Sequence, residues 1–211
     1  MLANIPSIVF IVDDDPDMRD SLEYLIHSVG ILTQAYSSAS VFLAEFELSR
    51  PGCLVCDIRM PEMSGLDLFD RLIGLGSRLP VILMTAHADV PMVVRAFKLG
   101  VAEFIEKPFN AQVMLERIQR AIAEDRMQRA SLATWKEFGD RMAELSDKEQ
   151  ATLKLILSGV PNKAIAARVE ITERAVEARR AGIMKKLNVS TFAELIRQVT
   201  HYQLLFPDQK E

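Results

Sequence analysis

Short apolar runs alternate with amphipathic stretches along the first 126 residues of the chain. The apolar runs predict five strands, at Ser7–Val12, Leu32–Tyr36, Leu54–Asp57, Val81–Thr85 and Glu103–Ile105. Between them, apolar side chains recur at helical spacing over residues 16–29, 38–48, 65–75, 90–99 and 110–125. Apolar strands that each lead into a helix are typical of a parallel sheet covered on both faces. The pattern therefore predicts an α/β domain over residues 1–126.

Capping residues mark the starts of several of these helices. Asp15 stands directly before Pro16, and Asp89 lies shortly before Pro91. Asn110 opens the last helical stretch. A short polar side chain at the N-cap accepts a bond from a free backbone N–H, and proline suits the first turn. Five such units in about 120 residues predict a flavodoxin-like, doubly wound, five-stranded parallel sheet.

Residues 127–144 contain no strand pattern and no stretch rich in glycine and serine. Apolar residues recur there at spacings of three, three and four: Leu132, Trp135, Phe138 and Met142. This spacing places them on one stripe of a helix and predicts a helical linker. Two arrangements remain open: the helix packs on its own domain, or it continues the fifth helix and reaches a partner chain.

Residues 145–206 are predicted to form only short helices. Ser146–Glu149 and Thr191–Glu194 match the capping box, in which a hydroxyl and a carboxylate each accept a bond from the other residue's backbone N–H. Asn162 and Thr172 are the predicted N-caps of two further helices. Four helices in about sixty residues, with a tight break between two of them, predict a small all-α helix-turn-helix domain.

The composition is that of an ordinary globular protein, with 49% hydrophobic and 26% charged residues among 211. Its longest aliphatic runs, such as Ile8–Val12, are far shorter than the roughly 18 residues of a membrane span. The first seven residues lack the lysine or arginine of a secretory signal, so we expect a cytoplasmic protein without a membrane partner. Cys53 and Cys56 are expected to be buried and structural, because the ligands of a zinc site are missing nearby.

The net charge of −4 is unevenly distributed. Residues 1–126 contain 18 acidic and 11 basic residues, whereas residues 127–211 contain 11 acidic and 14 basic ones. Opposite charge in the two halves indicates a different partner for each half. Nucleic acid is a candidate partner of the basic half.

Polar side chains follow the ends of the predicted strands. Asp13–Asp15 follow the first strand, Asp57 ends the third, Thr85 ends the fourth and Lys107 follows the fifth. We expect them to converge, because ligands of a doubly wound sheet bind beyond the carboxyl ends of its strands. Clustered carboxylates need a cation between them, and oxygen ligands suit Mg²⁺. With an ammonium and a hydroxyl beside them, the set predicts phosphoryl transfer to a carboxylate.

Four motifs in this half closely resemble the receiver domain of two-component response regulators: Asp13-Asp14, Asp57–Gly65, Met84–Ala86 and Lys107-Pro108. The resemblance covers residues 6–125 without a gap at any motif. It implies that Asp57 is the phosphoryl acceptor and that a sensor histidine kinase is the donor.

The resemblance also implies a Mg²⁺ site. Asp14, Asp57 and the backbone carbonyl of Arg59 would hold the ion, with Asp13 acting through water. A phosphatase of the haloacid-dehalogenase type would need an aspartate as acid and base two residues after its nucleophile, where this chain has Arg59. That rival is therefore excluded, and we do not expect the chain to be an enzyme.

Three further roles follow from the resemblance. Thr85 and Lys107 would bind the phosphoryl group, and Phe104 lies where the family has its switch aromatic residue. A cis peptide bond between Lys107 and Pro108 is implied as well. The alternative is an atypical receiver that acts constitutively or through protein contacts, without phosphate. The complete set of carboxylates, hydroxyl and ammonium argues against that alternative.

Four segments of the basic half resemble the LuxR/FixJ-type DNA-binding domain: Leu145–Glu149, Pro161–Ala166, Thr172–Val176 and Ile183–Leu187. Their order and spacing over residues 145–204 carry the resemblance. With the receiver motifs, they imply a FixJ-type transcriptional regulator that forms a homodimer on phosphorylation and binds an inverted-repeat operator in double-stranded DNA. RNA is a weaker alternative, because the region offers few aromatic residues for stacking bases.

The predicted recognition helix spans Thr172–Leu187. Val176, Ile183 and Leu187 fall on one stripe, which is expected to face the core. The predicted DNA-binding residues are Lys163, Arg174, Glu177, Ala178, Arg179, Ala181 and Lys185. Arg179 and its neighbour Arg180 flank the core stripe, so either they reach phosphates or their stems cover its apolar edge.

Three residues depart from the family pattern. Glu170 stands in a turn where glycine is usual, and Ala175 replaces a frequent threonine. Gly182 lies inside the recognition helix, where it costs about 0.5–1 kcal/mol relative to alanine. We therefore expect modest intrinsic affinity for DNA, which dimerisation compensates.

Overall fold

The chain folds into two compact units, Met1–Arg129 and Ala130–Glu211. The computed structural model describes residues 5–206, so residues 1–4 of the predicted first domain lie outside the described part. Each unit has its own buried apolar clusters. The boundary between the units falls slightly beyond residue 126, where the sequence pattern placed it.

The first unit contains a five-stranded parallel sheet with the strand order β2-β1-β3-β4-β5. Its strands are β1 (Ile8–Val12), β2 (Leu32–Tyr36), β3 (Gly52–Asp57), β4 (Val81–Thr85) and β5 (Glu103–Glu106). The helices that connect them are α1 (Pro16–His27), α2 (Ala39–Glu45), α3 (Gly65–Gly74) and α4 (Val90–Leu99). The doubly wound, flavodoxin-like fold is thereby confirmed.

Apolar side chains cover both faces of the sheet. Ile11 and Phe10, which are neighbours on β1, belong to the buried clusters on opposite faces, as the two-residue period of a strand requires. Cys53 and Cys56 are free thiols, and they too are buried on opposite faces. Burial raises the pKa of both thiols, so both stay protonated and unreactive. The predicted structural role of the cysteines agrees with this environment.

A single helix, α5 (Ala111–Ala143), contains the predicted fifth helix and nearly all of the predicted linker. Within it, the buried carboxylate of Asp125 accepts bonds from the Arg129 Nε at 2.8 and 2.9 Å. Asp125 also accepts a bond from the Gly52 N–H, and Arg129 donates to the Arg50 carbonyl oxygen. A buried carboxylate left without its partner is strongly destabilising. The first unit therefore depends on α5 as far as Arg129.

The second unit is all-α. Beyond the C-terminal part of α5 it contains α6 (Asp147–Leu157), α7 (Asn162–Arg168), α8 (Glu173–Lys186) and α9 (Phe192–Leu205). Phe138 of α5 is buried in one cluster with Ile183 of α8 and Val199 of α9. Trp135 and Met142 pack against the same cluster, so three of the four residues of the predicted apolar stripe pack within this unit.

Most predicted caps are confirmed. Side chains of five predicted residues accept bonds from the first turns of their helices: Asp15, Asp89, Asn110, Ser146 and Thr172. At Ser146 the complete capping box forms, because the Glu149 carboxylate accepts from the Ser146 N–H at 2.8 Å. These bonds satisfy backbone donors that a helix start leaves free.

Two capping predictions are wrong. Pro161 already has the extended backbone of an N-cap, with φ −63° and ψ 149°, so Asn162 is the first helical residue and does not cap α7. At the second predicted box, Thr191 accepts from the Glu194 N–H, but the Glu194 carboxylate accepts from the Ser190 N–H. The reciprocal bond is therefore shifted by one residue.

Two helical glycines of the second unit differ in the space around them. A Cβ on Gly139 in α5 would collide with the Tyr202 hydroxyl, so α9 approaches α5 closely at this point. A Cβ on Gly182 in α8 would meet its nearest neighbour, a carboxylate oxygen of Glu149, at 3.9 Å. Close approach thus requires a glycine at residue 139, whereas alanine fits at residue 182.

We therefore predict opposite effects of alanine at these two sites. Gly182→Ala should raise the free energy of unfolding of the second unit by about 0.5–1 kcal/mol, because alanine loses less backbone entropy in a helix. Gly139→Ala should lower it, because Tyr202 must move. Chemical unfolding followed by the fluorescence of Trp135, the sole tryptophan, reports on this unit. Destabilisation by Gly182→Ala would contradict the prediction.

Candidate functional site

The carboxyl ends of the strands in the first unit carry one ammonium between two buried carboxylates. The Lys107 Nζ lies 2.8 Å from an Asp13 oxygen and 2.9 Å from an Asp57 oxygen. Asp13 follows β1, Asp57 ends β3, and Lys107 follows β5. The side chain of Asp13 is 1% exposed and that of Asp57 10%, so the charges interact with little screening by water.

Backbone groups around this cluster fix the two carboxylates. The second Asp13 oxygen accepts from the Asp15 N–H at 3.0 Å, and the Asp13 backbone carbonyl accepts from Arg19 at 2.7 Å. The second Asp57 oxygen accepts from the Arg59 N–H at 3.1 Å. Both side chains are therefore held at both oxygens, which orients them toward Lys107.

Burial and charge act in opposite directions on the acid–base properties of the cluster. Burial raises the pKa of Asp57, and the hydrogen bond and charge of Lys107 only partly oppose it. Burial lowers the pKa of Lys107, but its hydrogen bonds to Asp13 and Asp57 outweigh that effect and raise the pKa overall. Lys107 is thus a firmly protonated cation beside a poorly solvated carboxylate.

The same edge of the sheet offers an oxygen-rich metal site. Asp13, Asp14 and Asp57 each bring a carboxylate oxygen within 4.8 Å of the other two. Within residues 5–206, no other three acidic, histidine or cysteine side chains are arranged in this way. Oxygen donors without sulfur or imidazole are the set that Mg²⁺ prefers. The residues present therefore fit a magnesium ion.

An open cleft of about 780 Å³ leads to this edge. Asp14 lines it together with Arg59 and Ser64, and Pro91 and Met92 of α4 line it as well. A reactant can therefore approach the acidic cluster from solvent.

The predicted switch residues lie on the neighbouring strands. Thr85 is fully buried, and its hydroxyl exchanges 3.2 Å hydrogen bonds with the backbone N–H and carbonyl of His87. Phe104 is half-buried and packs against the apolar cluster on one face of the sheet. The Lys107–Pro108 peptide bond is cis, as the family resemblance implies.

In the second unit, α8 buries one side and exposes the other. The predicted core stripe of Val176, Ile183 and Leu187 is at most 1% exposed. Six predicted DNA-binding residues are solvent-exposed: Lys163, Arg174, Glu177, Ala178, Ala181 and Lys185. Before α8, Glu170 adopts a positive φ of 53°, so the turn forms without glycine at some cost in strain.

The two arginines beside the core stripe contact their own domain. The Arg179 guanidinium donates to the Thr152 hydroxyl at 3.0 Å and to the Lys148 carbonyl oxygen at 3.4 Å. The Arg180 guanidinium lies 5.1 Å from the centre of the Phe192 ring, a cation–π contact. Both guanidiniums therefore have partners within their own domain, and the predicted phosphate contact of Arg179 stays a prediction.

Comparison with known proteins identifies both units. The response regulator receiver domain family matches residues 9–119, and the luxR family of bacterial regulatory proteins matches residues 143–199. The response regulator protein TodT of Pseudomonas putida (strain F1) is 39% identical over 93% of this chain and 86% of its own length. This chain belongs to the LuxR-type response regulators.

Other relatives of this response regulator support the assignment over its whole length. The transcriptional regulatory protein FixJ of Rhizobium meliloti (strain 1021) is 39% identical over 90% of this chain and 93% of its own length. The structure of the response regulator StyR is similar with a TM-score of 0.81 at 38% identity, covering 93% of this chain and 100% of that one. No helix within residues 5–206 is long and apolar enough to cross a membrane.

Sequence reasoning missed several contacts of this response regulator. Arg19 supports Asp13 through a backbone carbonyl, and no residue spacing marks such a bond. The pair of Asp125 and Arg129 has ordinary helical spacing, and its importance comes from the burial of Asp125. Gly65 is needed because a Cβ there would collide with the Asp57 carbonyl oxygen. Each of these roles depends on three-dimensional packing and not on residue spacing alone.

Proposed function

We propose that this response regulator is switched by phosphorylation of Asp57 and that the switch controls DNA binding by its LuxR-type domain. A sensor histidine kinase is the phosphoryl donor, and Mg²⁺ is the cofactor. The observation that carries the proposal is the Lys107 ammonium held between the buried carboxylates of Asp13 and Asp57. A positive charge placed in this way favours phosphoryl transfer. Catalysis of that reaction comes mostly from positioning the reactants and neutralising the charge on the phosphoryl oxygens.

In the transfer, an Asp57 oxygen forms the new P–O bond, while the P–N bond to the kinase histidine breaks and its electron pair leaves with the imidazole nitrogen. Lys107, whose pKa is raised by its two carboxylate partners, stays protonated and neutralises charge on the phosphoryl oxygens. Asp14, Asp57 and the Arg59 carbonyl would hold Mg²⁺, with Asp13 acting through water. The ion supplies further positive charge to the same oxygens.

Thr85 and Phe104 transmit the change. A phosphoryl dianion on Asp57 attracts the buried Thr85 hydroxyl away from its bonds in the neighbouring loop. The space that Thr85 vacates admits Phe104, which is half-buried on β5. The surface of α4 and β5 is then repacked, a two-state change at an interface. This surface, where Phe97 is 58% exposed, forms the phosphorylated homodimer.

Dimerisation brings two copies of α8 to DNA. Two recognition helices read two half-sites about one helical turn apart, so the operator is an inverted repeat. Glu177 can accept from a cytosine amino group, and Ala178 or Ala181 can contact a thymine methyl. Arg174 and Lys185 act mainly through phosphates, as does Lys163 from α7.

The acceptor assignment predicts labelling of a single residue. Incubation with acetyl phosphate or an activated kinase should add one phosphoryl group, on Asp57 and only with Mg²⁺ present. Intact-mass measurement should show no addition to Asp57→Asn, whereas Asp70→Asn, which alters an exposed carboxylate on α3, should be labelled like the natural chain. Labelling of Asp57→Asn to the same extent would show that the acceptor lies elsewhere, and absence of labelling in every chain would favour the atypical receiver.

The switch predicts phosphorylation-dependent assembly. Beryllofluoride with Mg²⁺ should convert the protein from monomer to dimer in sedimentation velocity at micromolar concentration. Phe97→Ala should weaken this dimer, because it removes an exposed apolar side chain from the proposed interface. Tyr24→Ala, which removes an even more exposed aromatic ring from α1, is the control. An unchanged sedimentation coefficient of the activated protein would count against the switch.

The orientation of α8 predicts different roles for two exposed residues. Lys185→Ala should weaken binding about equally across DNA sequences and lower the salt dependence, because a phosphate contact is lost. Glu177→Ala should change sequence preference more than affinity, because a base contact is lost. Selection from a randomised DNA pool measures both effects, with Lys136→Ala on α5 as an exposed control. If Lys185→Ala changed the selected sequence and Glu177→Ala did not, the orientation would be wrong.

A further inference from the structure

A small cavity of about 260 Å³ lies within the second unit, between the C-terminal part of α5 and α9. Arg141 and Arg197 line it together with Trp135, Phe138 and His201. Neither phosphoryl transfer nor base recognition uses these side chains. Its size is below that of pockets for drug-sized ligands, so it suits a ligand of few atoms.

The polar side of the cavity carries an excess of positive charge. One nitrogen of Arg141, Nη1, donates to Glu137 at 3.1 Å, but its Nε is buried without a hydrogen-bond partner. Arg197 is exposed, and its guanidinium forms no hydrogen bond or ion pair with any residue in the range 5–206. Two arginines thus line the cavity, and the one carboxylate paired with them, that of Glu137, contacts only Arg141 and is not part of the lining. A buried donor without a partner is costly, which points to a missing acceptor.

Aromatic rings form another part of the cavity wall, beside the polar Thr134 and Gln198. The Trp135 indole stacks on the His201 ring, with 4.8 Å between centroids and an angle of 18°. Phe138 is buried and meets Trp135 edge to face at 5.8 Å. Aromatic walls of this kind favour a planar ligand body.

We propose that this cavity binds a small planar organic acid, a carboxylate carried on an apolar ring. The guanidinium fork matches a carboxylate, which Arg141 and Arg197 would bind through charge-assisted hydrogen bonds. The ring would lie against Trp135 and Phe138. Such a ligand would fasten the C-terminal part of α5 to α9 and stabilise the DNA-binding domain. This binding site is independent of Asp57 and of the exposed face of α8.

The test uses the full chain and a pair of nearly isosteric probes, benzoate and benzamide. Titration with sodium benzoate should change the fluorescence of Trp135, the sole tryptophan, in a saturable way, and calorimetry should give the same dissociation constant. Benzamide has the same ring without the charge, so it should bind about tenfold more weakly or worse. Equal binding of the two probes, or no saturable signal with benzoate, would overturn the proposal.

Charge removal tests which residues bind the probe. Arg141→Met and Arg197→Met keep an unbranched apolar stem but remove the guanidinium, and each should weaken benzoate binding about tenfold or more. Arg168→Met, which removes an exposed arginine of α7 outside the cavity, should leave binding unchanged. Circular dichroism checks that each variant is folded. A loss with Arg168→Met as large as with Arg197→Met would show that general charge, not the cavity, attracts the probe.

Discussion

The contact of Lys107 with Asp13 and Asp57 is the constraint on which the acidic site depends. Two buried carboxylates this close together repel each other, and one ammonium between them makes the arrangement stable. The contact also joins the ends of strands that are distant in sequence. The parallel order of β1, β3 and β5 in one sheet is what brings the three groups to the same edge.

The acidic site at the carboxyl ends of the strands combines a fixed carboxylate, Asp57, with a hydroxyl, Thr85, that can change its hydrogen-bond partners. Asp57 is held at both oxygens, by Lys107 and by the Arg59 N–H, so its position is fixed before any reactant arrives. Thr85, in contrast, is bonded to the neighbouring loop through a hydroxyl that can exchange partners. Under the proposed function, charge added to Asp57 would change the packing around the Thr85 hydroxyl and leave the sheet intact.

The sequence predicted the sheet because strands covered on both faces leave nearly continuous apolar runs, each followed by a helical pattern. The convergence of Asp13, Asp57 and Lys107 followed from one further rule, that ligands bind at the carboxyl ends of parallel strands. The continuity of α5 through residues 127–143 was left open, because nothing local distinguishes a helix that continues from one that restarts. The contacts of Arg179 with α6 depend on tertiary packing. A helical wheel shows on which side of α8 the Arg179 side chain begins. It does not show which residue its guanidinium contacts.

The hydrogen bonds between Asp125 and Arg129 limit where the receiver unit of this chain can be joined to a different output domain. A gene fusion that joins the receiver to a different output domain just after residue 126 would retain the buried carboxylate and discard its cation. The resulting hybrid would carry an unpaired charge beneath the first residues of β3, far from the acidic site. A functional boundary of the receiver unit in this chain therefore lies after Arg129, beyond residues 9–119 that match the receiver family.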